Sequence, residues 1–378
     1  MFHTIITLAY VIPNIYVFIR ILQVFINKNN RLWYILIYIL FAAIYPVNNF
    51  IPEGTTDIIS HILETFSNYL LPFYLYLFLS VFSFDVFLLI NKIFRIVPSE
   101  TIKSNLFRTT GLIIILFISS AMVVAGVINF RTIRITNYDI SINAKSSGLR
   151  HLKIAFASDF HLKENTDLRF VENFVRKIEV IKPDIMLFGG DIVEGDREDS
   201  NMDRFEELLK AIHTKYGVYS VLGNHEFYSG QEKGSFFNRA GIKVLCDNFI
   251  VIDRSFNLGG RCDSHFRGRK LLDDLMKTAT DSLPVILIDH RPTEIDQVSK
   301  SAVDIQLSGH THNGQLFPIN LISRKVFGLS MGYLQKGNIH FFVSSGIRLW
   351  GPPVRTTGKS EIMVINVIFV TDKIIISE

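Results

Sequence analysis

Five short apolar runs in this chain end in polar residues of one chemical kind. "IAFASDFH" delivers Asp159 and His161, "IMLFGGD" Asp191, and "YSVLGNHE" Asn224, His225 and Glu226. "VILIDH" ends in Asp289 and His290, and "DIQLSGHTH" in His310 and His312. Carboxylates, imidazoles and an amide without a thiolate suit divalent ions such as manganese, iron or zinc. Asp159, His161, Asp191, Asn224, His290, His310 and His312 are too many donors for one ion. Two ions about 3.5–4 Å apart with a shared carboxylate would use them all, and such pairs clamp phosphoryl oxygens and turn water into a nucleophile. Each piece alone is an ordinary strand-end motif; the ordered conjunction of five is what points to chemistry. In "GHTH" the single residue between the histidines turns both toward one face of an extended segment.

The elements that must position these groups lie beyond Arg131. Apolar runs at 152–157, 185–188, 218–222, 285–288 and 305–307 read as buried strands. Between the first two, Val171, Phe174, Val175, Ile178 and Ile181 mark one helix face, with Thr166 as its expected cap. Phe205, Leu208, Leu209 and Ile212 mark another before the third strand. "RTIRITNYDISI" alternates and reads as an edge strand. Strand and helix alternation predicts an α/β domain over 131–378, and the carboxyl ends of its strands are where such folds build sites.

The blocks "SDFH", "GGD", "GNHE", "DH" and "GHTH" resemble, in order, those of the calcineurin-like metallophosphoesterases. "GVYSVLGNHEFY", "LSGHTHNGQLFP" and "VSSGIRLWGPPVR" are similar to the membrane-anchored bacterial subfamily. The resemblance covers roughly 150–368. It implies two facing β-sheets flanked by helices, and two divalent metal ions. It puts Asp159, His161 and His312 on one ion, Asn224, His290 and His310 on the other, and Asp191 between them. It also implies that His225 contacts the phosphate and stabilises charge or protonates the leaving oxygen, and that Glu226 orients a neighbouring imidazole. Asn313 stands where many members carry glycine, and Arg291 where asparagine is frequent. Both are expected to alter the rim of the cleft.

The chain is 48% hydrophobic with 32 phenylalanines, and the apolar excess falls before about residue 130. Stretches 4–26, 32–51, 69–90 and 110–130 each approach the roughly 20 residues a bilayer span requires, which predicts a four-helix membrane domain over 1–130. Pro13, Asn14 and Arg20 make the first too polar for a cleaved signal peptide. Lys28 and Arg31 lie in the first connection, Glu53, Asp57 and Glu64 in the second, and Lys92, Arg95, Lys103 and Arg108 in the third. That alternation predicts cytoplasmic first and third connections and a catalytic domain on the outer side of a bacterial inner or plasma membrane. Arg131 and Arg134 run against it. Asp85 and Arg20 lie near the expected cytoplasmic span ends, where each side chain is expected to reach water.

The net charge of +4 and the absence of a Lys/Arg tract argue against nucleic acid as a partner. Cys246 and Cys262 form no metal-type pair, and a single bond between them is open if the domain is exported. Arg267 of "GGRCDSHFRGRK", with Arg348 and Trp350 of "RLWGPPVR", are expected as substrate contacts: the first loop offers guanidinium groups for a phosphate, and the second could cover the site. The reading is a membrane-anchored dinuclear-metal phosphohydrolase that attacks a phosphoester or pyrophosphate with a metal-bound hydroxide, on a lipid or envelope-associated substrate. The alternative is a membrane scaffold whose phosphoesterase-like domain has lost turnover. A transporter would need an ionisable pathway that only Asp85 and Arg20 could supply.

Overall fold

The computed structural model describes residues 2–51, 57–163, 166–194, 202–228 and 235–371. The chain divides into two compact units, Met1–Asn129 with Gly351–Thr356, and Phe130–Trp350 with Thr357–Glu378.

The first unit is helical: Phe2–Val24, Arg31–Asn48, Ile58–Phe94 and Asn105–Arg131. Among the described residues three helices, Lys28–Asn48, Ile58–Phe94 and Asn105–Arg131, are long and apolar enough to cross a membrane; Ala9–Val24 is apolar but shorter. The 37-residue helix takes in residues 58–68, which were expected as a connection. Asp57 starts it by accepting from the Ile59 and Ser60 amides. At 1.5 Å per residue it is about 55 Å long, well beyond the roughly 30 Å hydrocarbon core. Glu53 lies outside the described residues. Arg20 and Asp85, both partly exposed, are paired: the guanidinium donates to both carboxylate oxygens at 2.6 and 2.5 Å, and Tyr16 donates to the same carboxylate. Pairing offsets the cost of placing either charge among apolar helices. Part of "RLWGPPVR" is also held in this unit. The Arg355 amide donates to the Gly126 carbonyl at 3.0 Å, and the Asn129 side chain donates to the Arg355 carbonyl at 3.0 Å.

The second unit contains two six-stranded sheets. Its strands are β1 (Ile133–Asn143), β2 (His151–Ala157), β3 (Ile185–Phe188), β4 (Val218–Ser220), β5 (Lys243–Val244), β6 (Asn248–Ile252), β7 (Phe256–Gly260), β8 (Val285–Ile288), β9 (Ile305–Ser308), β10 (Gly332–Lys336), β11 (Ile339–Val343) and β12 (Ser360–Val370). The sheets run β1-β12-β2-β3-β4-β5 and β10-β11-β9-β8-β7-β6. In each, the strands that carry the candidate ligands lie parallel to one another: β2, β3 and β4 in the first, β8 and β9 in the second.

The two-residue period of a strand explains how the layers stack. Ile154 and Phe156 of β2, Ile185 and Leu187 of β3, Ile286 and Ile288 of β8, and Ile305 and Leu307 of β9 share one core between the sheets. The alternate residues Ala155, Met186 and Phe188 turn outward onto the helices Leu168–Ile181 and Met202–Lys210. On the far sheet, Val285 and Leu287 meet Leu272, Leu275 and Val298 of two short helices. Two facing sheets flanked by helices are therefore the fold. The alternating "RTIRITNYDISI" segment is an edge strand, as its pattern implies.

Candidate metal centre

Every candidate ligand sits just past the carboxyl end of a parallel strand, and the loops that carry them are laced together by backbone bonds. The amide of Asp159 donates to the Gly190 carbonyl, that of His161 to Asp191, and that of Gly309 to His290, at 3.0, 3.0 and 2.9 Å. The His310 amide crosses between the sheets to donate to the Asp159 carboxylate at 3.0 Å. Asp159, His161, Asp191, His310 and His312 all adopt left-handed backbones, with φ of 60°, 47°, 52°, 70° and 47°. Such conformations cost about 1–3 kcal/mol each and persist only where the surroundings over-determine them.

Two nests of donors result. Asp159, His161 and His312 bring one ligand atom each to within 4.8 Å of one another, as do Asp191, His290 and His310. In the first, His161 Nε2 faces His312 Nε2 at 3.2 Å. In the second, His290 Nε2 lies 3.2 Å from Asp191 Oδ2, while its Nδ1 is tied to the Gly189 carbonyl at 2.7 Å. That bond fixes the tautomer and leaves Nε2 as the nitrogen that would face a cation. Asp191 also groups with His161 and His225, so it lies where the nests meet. Asn224 Oδ1 is buried and has no hydrogen-bond partner among the described residues.

The turns tolerate no extra atoms. A β-carbon on Gly223 would lie 2.2 Å from Asp191 Oδ1, and one on Gly309 would lie 1.9 Å from Ser158 Oγ.

The charges are tightly matched. Burial would raise the Asp191 carboxyl, but His290 and His161 hold it well below the usual carboxylate range. Burial opposes protonation of His290, yet Asp191 and Asp159 push it up to about 10. His310 falls to about 3 through burial and the His290 charge. A cation binding here would displace protons from imidazoles that the carboxylates otherwise hold.

Glu226 holds the turn beside the imidazoles through backbone amides. Its Oε1 accepts from the Ile192 and Val193 amides at 2.5 and 3.0 Å, and its Oε2 from Asp191 and Gly223 at 3.0 and 2.7 Å. It is a fully buried clamp on the turn that carries Asp191. Burial and the Asp191 charge push its carboxyl up to about 7, against the pull of these amides.

Glu194, which sequence reasoning missed, lies 2.9 Å from His161 Nδ1, 2.9 Å from Lys163 Nζ and 3.5 Å from His225 Nδ1. Burial would raise its carboxyl, but His161 lowers it to about 2. Its place three residues after Asp191 is the only signal the sequence carries. His225 donates its amide to Asp191 at 2.8 Å and sets its ring edge-on to His161.

Of the expected substrate contacts, Arg348 adjoins the Asp159 turn. Arg267 is exposed, and the arginines flanking it point inward. Arg261 and Arg269 both reach Asp289, at 3.1 and 2.9 Å, and Arg291 reaches Asp263 at 2.7 Å. Asp289 is thus an ion-pair partner, although it closes the same strand as His290. Arg348 supports the Asp159 turn through its amide at 3.0 Å, while its guanidinium lies over the Phe170 and Phe130 rings. Trp350 is 39% exposed. Asn313 is left-handed at φ 49°, the backbone that glycine or asparagine adopts most easily, and its side chain accepts from Ser330 at 2.8 Å. The turn accounts for its type.

A sheet sandwich with carboxylate and imidazole nests at its strand ends defines a metal-dependent phosphoesterase type of domain. Comparison with known proteins agrees: the calcineurin-like phosphoesterase profile matches residues 152–314. The chain is 32% identical over 244 residues to an uncharacterized metallophosphoesterase of Aquifex aeolicus, covering 62% of this chain and 92% of that protein. It is 31% identical over 229 residues to one from Helicobacter pylori strain J99, covering 58% of this chain. It spans about 60% of the length of the two Helicobacter pylori relatives. A zebrafish (Danio rerio) "transmembrane protein with metallophosphoesterase domain" is 25% identical over 352 residues, 88% of this chain and 79% of that protein. The chain belongs to the calcineurin-like phosphoesterase family.

Proposed function

We propose that this chain is a membrane-anchored phosphohydrolase that holds two divalent cations and cleaves a phosphoester or pyrophosphate bond. The observation that supports the reading is the pair of donor nests, with Asp191 a member of the second and grouped also with His161 of the first. The donors fit such ions: hard oxygens and imidazoles, a buried Asn224 oxygen without a partner among the described residues, and a His290 tautomer fixed with Nε2 inward. Asp159, His161 and His312 would hold one cation, Asn224, His290 and His310 the other, and Asp191 both. Manganese, iron or zinc in this setting polarises phosphoryl oxygens and lowers the pKa of water.

The remaining work falls to the chain itself. His225, beside the first nest, contacts the phosphate and stabilises charge or protonates the leaving oxygen. Glu194 orients His161 and His225, and Glu226 fixes the Asp191 turn. The substrate class is a lipid or envelope-associated phosphoester, because the helices hold the domain at a bilayer. The distribution of Lys and Arg favours the outer side of a bacterial inner or plasma membrane. A bond between Cys246 and Cys262 is consistent with that side, since such bonds persist in oxidising compartments. The test is hydrolysis of a phosphomonoester, phosphodiester and pyrophosphate panel, lipid substrates included, by the purified full chain with added manganese. Turnover of at least one class is expected; a folded protein inert toward all of them overturns the reading. A reporter fused after Glu378 reads the side of the membrane.

A further inference from the structure

The helix Ile319–Phe327 begins seven residues after His312 and presents an unusual surface. Ile319, Ile322 and Val326 recur at i, i+3 and i+7, which places them on one stripe of the helix. They are 42%, 64% and 68% exposed, and Phe317 and Leu321 beside them are 46% and 59% exposed. The flank next to this stripe is spent on the fold: Ser323 is buried, and the Phe327 ring lies edge-on to His310 with centroids 5.8 Å apart. Arg324 and Lys325 are exposed on the same helix, and it carries no acidic residue. Contiguous exposed apolar side chains of this kind mark an interaction surface.

We propose that Ile319–Phe327 is a lipid-docking helix that lays its apolar stripe into the headgroup region of an anionic bilayer. Two observations select a lipid surface as the occupant. A short helix with an apolar stripe and basic residues is the composition that lies in a membrane interface, about 5–10 Å deep. The apolar helix Asn105–Arg131 is followed after one residue by β1 of the sandwich, so the chain itself tethers this unit to a bilayer. Lys and Arg near such a surface strengthen the attraction when its lipids are anionic. Because Phe327 packs on His310, docking sets the metal centre beside the headgroup layer, where the phosphate of an amphiphile lies.

The test uses the full chain reconstituted in anionic vesicles that contain brominated lipid. With Cys246 and Cys262 replaced by serine, Ile322→Cys and Val326→Cys each accept one environment-sensitive fluorophore. Val180→Cys, 75% exposed on another helix, is the control. The expected result is several-fold stronger bromine quenching at 322 and 326 than at 180, weakened by Arg324→Glu with Lys325→Glu. Equal quenching at all three positions overturns the proposal. So does quenching that ignores bromination and grows with protein density, which would make a second copy the occupant. The measurement reads position and not turnover, so it stands or falls independently of the hydrolytic reading.

Discussion

Glu226→Gln tests how the Asp191 turn is held. The wild-type carboxylate divides its work evenly, with two amides on each oxygen. A glutamine keeps one acceptor oxygen and replaces the other by an NH2 group. Whichever way the amide flips, two buried N–H groups lose their acceptor and face a donor instead. Each such orphan costs about 1–3 kcal/mol, so the substitution costs roughly 2–6 kcal/mol in all. At about 2–4 °C per kcal/mol for a unit of this size, the melting temperature falls by roughly 5–20 °C. Asp191 holds a left-handed backbone that the clamp maintains, so metal content falls as well. Thermal melts of the full chain in detergent, with metal analysis of the same samples, read both effects. A variant with wild-type melting and wild-type metal content would refute the clamp.

Three further outcomes follow from the same geometry. His225→Ala keeps its metal content and loses about 10²–10⁴-fold in kcat, as expected for a proton donor; loss of metal would make His225 a ligand instead. Gly223→Ala drives a β-carbon to 2.2 Å from Asp191 Oδ1, an overpacking that costs about 1–3 kcal/mol, and metal analysis should show at least one ion lost. Glu194 carries part of the acid-side pH dependence of the metal-free protein. Its folded carboxyl is lowered from 4.5 to about 2, so its contribution is full above 4.5 and is lost as pH falls toward 2. Acid melts of Glu194→Gln should lack that part of the slope, and an unchanged slope would sink the assignment.

The sequence discloses local features well. The apolar runs 185–188 and 285–288 coincide with β3 and β8, and Val171, Phe174, Val175 and Ile178 form the buried helix face. The cap is Asp167, one residue past the expected Thr166. What the pattern could not disclose is non-local. β12 inserts between β1 and β2 from over 200 residues away, and nothing in its own composition names those partners. The candidate ligands were legible because each follows a strand end, where residue type and position coincide. Glu194 and the role of Glu226 were not, because both depend on loops from different strands meeting. The arginines of 261–269 misled for the same reason: their carboxylate partners lie on another strand.

The central claim is a site for two cations bridged by Asp191. The most direct measurement is metal stoichiometry of the purified full chain, by elemental analysis with anomalous diffraction, for wild type and Asp191→Ala. Two ions per chain are expected in the wild type, one beside Asp159, His161 and His312 and one beside Asn224, His290 and His310, with binding weakened at both in the variant. A wild type that holds one ion, or a variant that retains both, would contradict the account.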